Sequence, residues 1–528
     1  MTTARSSSLR KDALAGPPFR RILVANRGEI AVRITRAAHE LGIEAVAVYS
    51  DADADAGHVR AADVAVRLGP APPGESYLRA DLLIAAALST GAEAIHPGYG
   101  FLSERASFAR AVTDAGLVFV GPTAEAIAAL GDKLAARRLA RDAGVPVVPG
   151  TLAPAALDRA DAIDEIAAEA EHIGFPILVK AAAGGGGRGM RRVVSARKLP
   201  AELAAGSAEA AAAFGDGSVY LEREVRPARH IEVQVLGDAT GEVVALGERD
   251  CSLQRRHQKL VEESPAPGLS DEERATVHAH AVRAARAAGL TNAATAEFLF
   301  DPERRFWFLE VNTRLQVEHG VTELVADVDI VAEQFLLAAG RPLSNRVRDA
   351  AGLATRPVRH AIEVRLSAED PGNEFIPSPG RVGRWVMPAG PGVRVDTATR
   401  QGDRVPPDYD PLIAKILVVG ASRADAIARL RRALDEVDVS GIQTTLPFHR
   451  FVARDEGFAA GDLSTDWVGE RWHGPAERAA ALEIACHMAA TAAARNVVSR
   501  GPVSLRKDST ESAWRRAGRE AGLDRWPR

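Results

Sequence analysis

Between residues 297 and 319 the chain concentrates groups able to hold a metal ion and anions. Glu310-Val311-Asn312-Thr313-Arg314-Leu315-Gln316-Val317-Glu318 alternates polar and apolar residues, and His319 follows. Successive side chains of an extended segment point to opposite faces. The alternation therefore predicts a strand with Glu310, Asn312, Arg314, Gln316 and Glu318 on one face and Val311, Leu315 and Val317 on the other. A solvated strand also alternates, but its wet face is usually a loose mix of Lys, Thr, Ser and Glu. Upstream, Glu297 interrupts the apolar run 295–300, where an unpaired carboxylate would be costly to bury. A turn at Asp301-Pro302-Glu303-Arg304 leads back through 306–309, so Glu297 and Glu310 are candidates for neighbouring positions on an antiparallel hairpin. Two carboxylates with Asn312 suit Mg²⁺ or Mn²⁺, and no Cys/His cluster points to zinc. A purely structural acidic hairpin is the competing reading.

A second set of residues suits phosphate. Ala183-Gly184-Gly185-Gly186-Gly187-Arg188-Gly189 follows the strand-like Ile177-Leu178-Val179-Lys180. Without Cβ atoms, glycine amides approach phosphate oxygens closely. No Gly-Lys-Ser/Thr follows, so this is not a P-loop but a candidate phosphate-covering loop. Lys180, and Lys133 in Gly131-Asp132-Lys133, would supply ammonium groups. Only seven of the 66 basic residues are lysine, so a lysine here is more often one needed as a compact point charge. Gln254-Arg255-Arg256-His257-Gln258-Lys259 reads as an internal anion site rather than a nucleic-acid patch. Residues 220–225 form a candidate adenine-binding edge, and His230 fits an anion site and a structural histidine equally well.

These residues need a scaffold. Arg21-Ile22-Leu23-Val24-Ala25 reads as a buried strand, followed by the loop Asn26-Arg27-Gly28-Glu29 and a helix over 30–41. A strand over 44–49, a helix over 77–88 and a strand at 94–95 continue the alternation of a parallel, doubly wound sheet. No Gly-x-Gly-x-x-Gly follows the first strand, which argues against a dinucleotide site. Helix pairs and antiparallel strands are expected over 131–340. Proline-punctuated short strands follow over 355–420, and an amphipathic helix over 423–437.

At 528 residues the chain exceeds one hydrophobic core. A net charge of −4 gives no support for nucleic-acid binding, and no apolar run has the length of a membrane span. Two cysteines, Cys251 and Cys486, exclude a disulfide framework and suggest a reducing, cytoplasmic setting. The first 17 residues lack a secretory apolar core; a disordered tail and a short transit peptide both fit them.

Taken together, these segments resemble the biotin carboxylase family of the ATP-grasp superfamily. The resemblance runs from about residue 20 to 468. It rests on Ala25-Asn26-Arg27-Gly28-Glu29-Ile30, residues 96–104, Gly131-Asp132-Lys133, the glycine loop and Glu248-Arg249-Asp250-Cys251-Ser252. Further matches are 254–259, 310–319, Arg365-Leu366-Ser367-Ala368-Glu369-Asp370-Pro371, Phe375-Ile376-Pro377-Ser378-Pro379-Gly380 and Tyr409-Asp410-Pro411-Leu412-Ile413-Ala414-Lys415. It implies a mixed α/β and α+β fold. An N-terminal Rossmann-like domain over 18–131 would precede an ATP-grasp domain over 132–340, with a mobile lid over about 150–225. A β-rich C-terminal domain over 350–468 would follow, with tails at 1–17 and 469–528.

The resemblance also implies a reaction. ATP would phosphorylate bicarbonate to carboxyphosphate, and the released CO₂ would be captured by biotin. Lys133, Lys180, Gly184, Gly185, Gly186, Gly187, Glu222, Val225, His230, Gln254, His257 and Leu299 would contact ATP. Glu297, Glu310 and Asn312 would hold Mg²⁺ or Mn²⁺, and Lys259, Arg314, Gln316 and Val317 would position bicarbonate. Glu318 would be the general base, and Arg365 would stabilise the biotin enolate.

Three positions depart from the family pattern. Arg105 stands in place of Asn, Ala183 shortens the glycine run, and Gly320 replaces a Pro and is expected to loosen the segment carrying the base. No Met precedes a Lys, so the Ala-Met-Lys-Met of biotin carriers is lacking. The expectation is a separate subunit, a homodimer or part of a larger complex, working with a biotin carboxyl carrier protein and a carboxyltransferase on acetyl- or propionyl-CoA. A pyruvate-type acceptor, another ATP-grasp ligase and a non-catalytic nucleotide-binding subunit are the alternatives. Trp514, Leu523 and Trp526 either dock a partner or pack on their own domain.

Overall fold

Short, uninterrupted apolar runs build the N-terminal sheet. β1 (Arg21–Val24), β2 (Glu44–Ser50), β3 (Val64–Gly69), β4 (Ala94–His96) and β5 (Val118–Phe119) pair in parallel in the order β3-β2-β1-β4-β5. Ile22, Leu23 and Val24 are buried, as a parallel sheet covered on both faces requires. Helix α1 (Gly28–Glu40) carries Ile30, Ile34, Ala37 and Ala38 on the face that packs against this sheet. The doubly wound N-terminal sheet is as expected from sequence. The structure, a computed structural model, describes residues 16–155, 162–182 and 190–498. Gly184 to Gly187, Ala183 and the tail tryptophans lie outside the described residues.

Helix α2 (Lys133–Asp142) starts at Asp132, whose carboxylate accepts from the Ala135 amide at 2.7 Å. A three-stranded antiparallel sheet follows, made of β6 (Ile177–Ala181), β7 (Arg191–Val193) and, after α3 (Leu199–Phe214), β8 (Val219–Arg223); its order is β7-β6-β8. Ile177, Val179, Leu199, Leu203 and Leu221 form its separate small core.

The main sheet has eight antiparallel strands. β9 (Arg229–Gly237), β10 (Val243–Arg255) and β11 (Gln258–Ser264) precede helix α4 (Asp271–Ala287), and β12 (Asn292–Phe300) and β13 (Phe306–Asn312) follow it. Then come α5 (His319–Ala326), α6 (Ile330–Ala338), β14 (His360–Ser367), β15 (Val393–Thr397), β16 (Leu412–Gly420) and α7 (Arg423–Glu436). The strand order is β13-β12-β9-β10-β11-β14-β16-β15. One sheet thus takes strands from both sides of the region 340–360, where the sequence suggests only a change of pattern. Ile231, Val233, Val235, Ala296 and Phe298 pack on α4 through Val277, Ala281, Ala284 and Ala285. Alternate residues of the same strands, among them His230, Glu232, Gln234, Thr295 and Glu297, face the other way and are polar.

β13 stops at Asn312, and residues 313–318 turn into α5, with Glu318 at its N-cap. This corrects the expected strand over 310–318. Val311 belongs to the core beside α4, whereas Leu315 belongs to the core shared by α1 and Phe335. Two apolar residues on one predicted face are drawn into two different cores, and the chain must bend between them.

The chain divides into two units at residue 472. The described part of the second is one helix, α8 (Gly474–Val498), with Leu482, Ile484 and Met488 exposed. Among the described residues no helix is long and apolar enough to cross a membrane.

Candidate active site

Three adjacent strands assemble the acidic centre. β9 contributes His230, Glu232 and Gln234 by period-two alternation; β12 contributes Thr295 and Glu297; β13 contributes Glu310 and Asn312. Register sets Glu297 directly opposite Glu232 on one side and Glu310 on the other. The hairpin neighbours expected from sequence are therefore cross-strand partners. A bulge beside Glu297 shifts the β12–β13 pairing at this point.

Polar groups from the 313–318 turn close on this pair. Glu297 Oε1 accepts from Asn312 Nδ2 at 2.8 Å, Gln316 Nε2 at 2.9 Å and Lys259 Nζ at 3.0 Å. Glu297 Oε2 lies 3.0 Å from His230 Nε2. Burial alone would raise the Glu297 carboxyl, but Lys259 and His230 hold it well below the usual carboxylate range. Glu310 is driven the other way, upward, by burial and by the Glu297 charge beside it. Arg314 donates to Glu104 Oε2 at 3.0 Å, Gln316 Oε1 at 3.1 Å and Asn312 Oδ1 at 3.2 Å.

Glu318 is wholly buried and gives one oxygen to each of two cations. Lys259 Nζ donates to its Oε1 at 2.7 Å, and Arg365 Nη2 donates to its Oε2 at 2.9 Å. Lys259 also contacts Glu232. Arg365 Nε donates to Glu262 Oε1 at 2.5 Å. Burial opposes the charged form of Glu318, yet Lys259, Arg365 and Arg249 together hold its carboxyl far below the ordinary value. Arg249 sits beneath the centre and donates to Gln234, Thr322 and Thr295 as well as Glu232. The Val317 carbonyl accepts from the buried Lys415 at 2.6 Å.

The nucleotide candidates flank this centre. Lys133 stands at the N-terminus of α2, where burial lowers its pKa and Glu310 partly offsets the effect. Lys180, on β6, contacts the Glu222 carboxylate on β8, which also receives Arg137 from α2. Gln254 is buried near the end of β10. His257 lies in the β10–β11 turn, its charged form disfavoured by burial, Lys180 and His230. Leu299 pairs with His230 across β12 and β9, and Val225 lies just past β8; both are half-buried.

Sequence reasoning gave no site role to Glu232, Glu262 or Arg137, nor to Glu104, Arg249 and Lys415, although the last three lie within the matching motifs. The β9 run His230-Ile231-Glu232-Val233-Gln234-Val235 alternates as clearly as 310–318, so Glu232 was open to the same argument. The others act across strands or domains, and spacing alone does not join them to the site.

Glu297 and Glu310 fit a hard divalent cation. Both offer carboxylate oxygens from opposed positions, and the upward push on Glu310 is excess negative charge that a cation would relieve. Asn312 fits as a further ligand only by releasing Arg314 from its oxygen. Gly320, where the family pattern has Pro, does not leave slack: a Cβ there would meet Leu417 Cδ2 at 2.4 Å, so Leu417 already fills the space.

Comparison with known proteins places these residues in context. The profile described as "Biotin carboxylase, N-terminal domain" matches residues 18–127. "Carbamoyl-phosphate synthase L chain, ATP binding domain" matches 132–346, and "Biotin carboxylase C-terminal domain" matches 363–470. The chain is 48% identical to a biotin carboxylase of Pseudomonas aeruginosa over 452 residues, covering 85% of this chain and 98% of that one. It is 46% identical over 461 residues to the biotin-dependent acyl-coenzyme A carboxylase alpha3 subunit of Mycobacterium leprae, covering 87% of this chain and 75% of the relative. Among solved structures, the biotin carboxylase domain of Hydrogenobacter thermophilus 2-oxoglutarate carboxylase, in complex with MgADP, ADP and bicarbonate, is similar with a TM-score of 0.81. It is 42% identical, with 86% of this chain and 98% of that chain covered.

Proposed function

Because the chain belongs to the biotin carboxylase family of ATP-grasp ligases, we propose that Glu318 and Arg365 carry the two halves of an ATP-dependent carboxylation of biotin. Bicarbonate is held by Arg314, Gln316, Lys259 and the Val317 backbone. Glu318 takes its proton, and the freed oxyanion attacks the γ-phosphorus of ATP, giving carboxyphosphate and ADP. Carboxyphosphate breaks down to CO₂ and phosphate, the released phosphate takes the proton of the biotin ureido N–H, and the nitrogen captures the CO₂. Arg365 stabilises the negative charge on the ureido oxygen while it forms. Lys133 and Lys180 engage the nucleotide phosphates, with Glu222, Val225, His230, Gln254, His257 and Leu299 around the rest of the nucleotide. Magnesium held by Glu297 and Glu310 would offset phosphate charge.

The observation that carries this reading is that Glu318 gives one oxygen to Lys259 and the other to Arg365. The base for bicarbonate thus stands between the cation proposed for bicarbonate and the cation proposed for biotin, which brings the sites of the two half-reactions together. The test is ADP release from MgATP by the purified chain, with bicarbonate and free biotin each added or withheld. Turnover that needs bicarbonate and rises with biotin supports the assignment. Turnover indifferent to biotin moves the chain to another ATP-grasp ligase.

The biotin is proposed to arrive on a carrier protein, with transfer to an acyl-CoA by a carboxyltransferase partner. Support comes from the M. leprae relative, which is an acyl-CoA carboxylase subunit by name. The H. thermophilus relative belongs to a 2-oxoglutarate carboxylase, so membership of the family is compatible with more than one acceptor. Reconstitution with carrier and carboxyltransferase, comparing acetyl-CoA, propionyl-CoA and pyruvate, decides it. Covalent biotin on the chain itself, seen by streptavidin blot, would overturn the separate carrier.

A further inference from the structure

Glu222 is an anion with more cations than it needs. Its buried carboxylate receives Arg137 on one oxygen and Lys180 on the other. The two cations differ in freedom. Arg137 is 1% exposed, rises from the middle of α2, and anchors its other nitrogen on the Val148 carbonyl at 2.7 Å. Its guanidinium also lies 5.7 Å from the centre of the Tyr220 ring. Lys180 has no such anchor among the described contacts, and 12% of its side chain is exposed. Lys133, the other ammonium proposed for the nucleotide, lies close enough to Lys180 and Glu222 to feel both charges.

Gly150 keeps this arrangement tight. It forms a bridge with Glu222, flanked by Arg223 N to Pro149 O at 2.8 Å and Thr151 N to Leu221 O at 2.9 Å. A Cβ at Gly150 would lie 2.4 Å from Leu221 O and 3.1 Å from Arg137 Nη2, so only glycine admits the guanidinium and the strand together.

We propose that Arg137 is a positioning residue, the resident counter-ion of Glu222 that allows Lys180 to leave that carboxylate for the phosphates of incoming ATP. A buried carboxylate stripped of its last cation is strongly disfavoured. With Arg137 fixed in place, Glu222 remains paired after Lys180 departs, and nucleotide binding need not break the only ion pair of a buried charge. Without Arg137, Glu222 would hold Lys180 as its sole cation and compete with ATP for it. The inference rests on the proposed role of Lys180 at the nucleotide.

The test uses the full chain with free biotin. Arg137→Met should raise KM for ATP about tenfold, leaving kcat at saturating ATP and KM for bicarbonate within about twofold. Arg137→Lys should stay near the wild-type KM. Arg137→Met/Glu222→Gln, which removes the competing charge, should show a lower KM for ATP than Arg137→Met alone. A merely structural role lowers the active fraction and does not give this selective rise with relief by Glu222→Gln. An unchanged KM for ATP in Arg137→Met, or a rise that Glu222→Gln fails to relieve, overturns the proposal. Should Arg137→Met not fold, Arg137→Gln, which removes the charge but keeps a donor for the Val148 carbonyl, decides on the same readings: a selective rise in KM for ATP supports it, and an unchanged KM overturns it. Lys180→Met separates the two levels, since no change in KM for ATP there would remove Lys180 from the nucleotide and the proposal with it.

Discussion

Glu297 and Glu310 are cross-strand partners whose carboxyls are driven in opposite directions, Glu297 downward by Lys259 and His230, Glu310 upward by burial and by Glu297 itself. The pair therefore divides the work: Glu297 is an organised anion within a hydrogen-bonded cluster, and Glu310 carries the repulsion. Glu310→Gln relieves that repulsion and removes a ligand. It should raise the free Mg²⁺ needed for half-maximal ADP release by about tenfold or more at fixed MgATP, while leaving thermal stability equal or higher. An unchanged Mg²⁺ requirement would place the metal elsewhere.

Glu318→Gln keeps shape and removes the proton acceptor. Bicarbonate-dependent ADP release should fall by about 10²–10⁴-fold, with ATP binding by calorimetry retained. The lowered Glu318 carboxyl has a further consequence. Lys259 and Arg365 keep it ionised below the ordinary carboxylate range, so the activity of the free enzyme should show no acid limb near pH 4.5–5.5 that Glu318→Asp displaces.

Arg365 should separate the two half-reactions. Arg365→Met removes the cation proposed for the biotin enolate but leaves Lys259 on the other oxygen of Glu318. Biotin stimulation of ADP release should drop by about 10²-fold, while the slower bicarbonate-dependent turnover without biotin persists. Equal loss of both activities would assign Arg365 to bicarbonate chemistry instead.

Much of this arrangement is legible in the amino-acid sequence alone. Binary alternation announces the polar face of β13 and the apolar runs announce the parallel sheet, because both depend on local side-chain direction. The bend after Asn312 is not legible, since it arises from Val311 and Leu315 joining different cores. Glu262 and Glu104 are hidden for a related reason. Their partners Arg365 and Arg314 are 103 and 210 residues away in sequence, and only tertiary packing brings them together.

Glu369 should give the protein a neutral-pH dependence. Burial and the neighbouring Asp410 push its carboxyl up to about 7, against the pull of Arg255. A folded value above the unfolded one means the native state keeps the proton longer. This contribution to stability is complete below about pH 4.5 and is lost as pH rises through 7. Glu369→Gln should match the wild-type melting temperature at pH 5 and exceed it above pH 7 by on the order of 1–2 °C. Parallel melting curves of the two proteins from pH 5 to 8.5 would refute the coupling.

The last prediction concerns how the base is held. Gly320 lies in the first turn of α5, two residues after Glu318, and Leu417 of β16 occupies the volume a side chain there would need. The space is also bounded by Glu363, whose Oε2 would lie 3.4 Å from the added carbon. Leu417 is fully buried, with Val321 and Ala361 as its core neighbours, so it cannot swing away to solvent. Gly320→Ala should therefore cost about 1–3 kcal/mol of stability through overpacking. Activity should fall with it, because the displaced helix start carries Glu318 away from Lys259 and Arg365. Leu417→Ala alone should destabilise by leaving a cavity, yet combining it with Gly320→Ala should recover part of both losses. Recovery in the double variant would identify the Gly320–Leu417 contact as what sets the position of the base. Strict additivity would show that the two residues act independently.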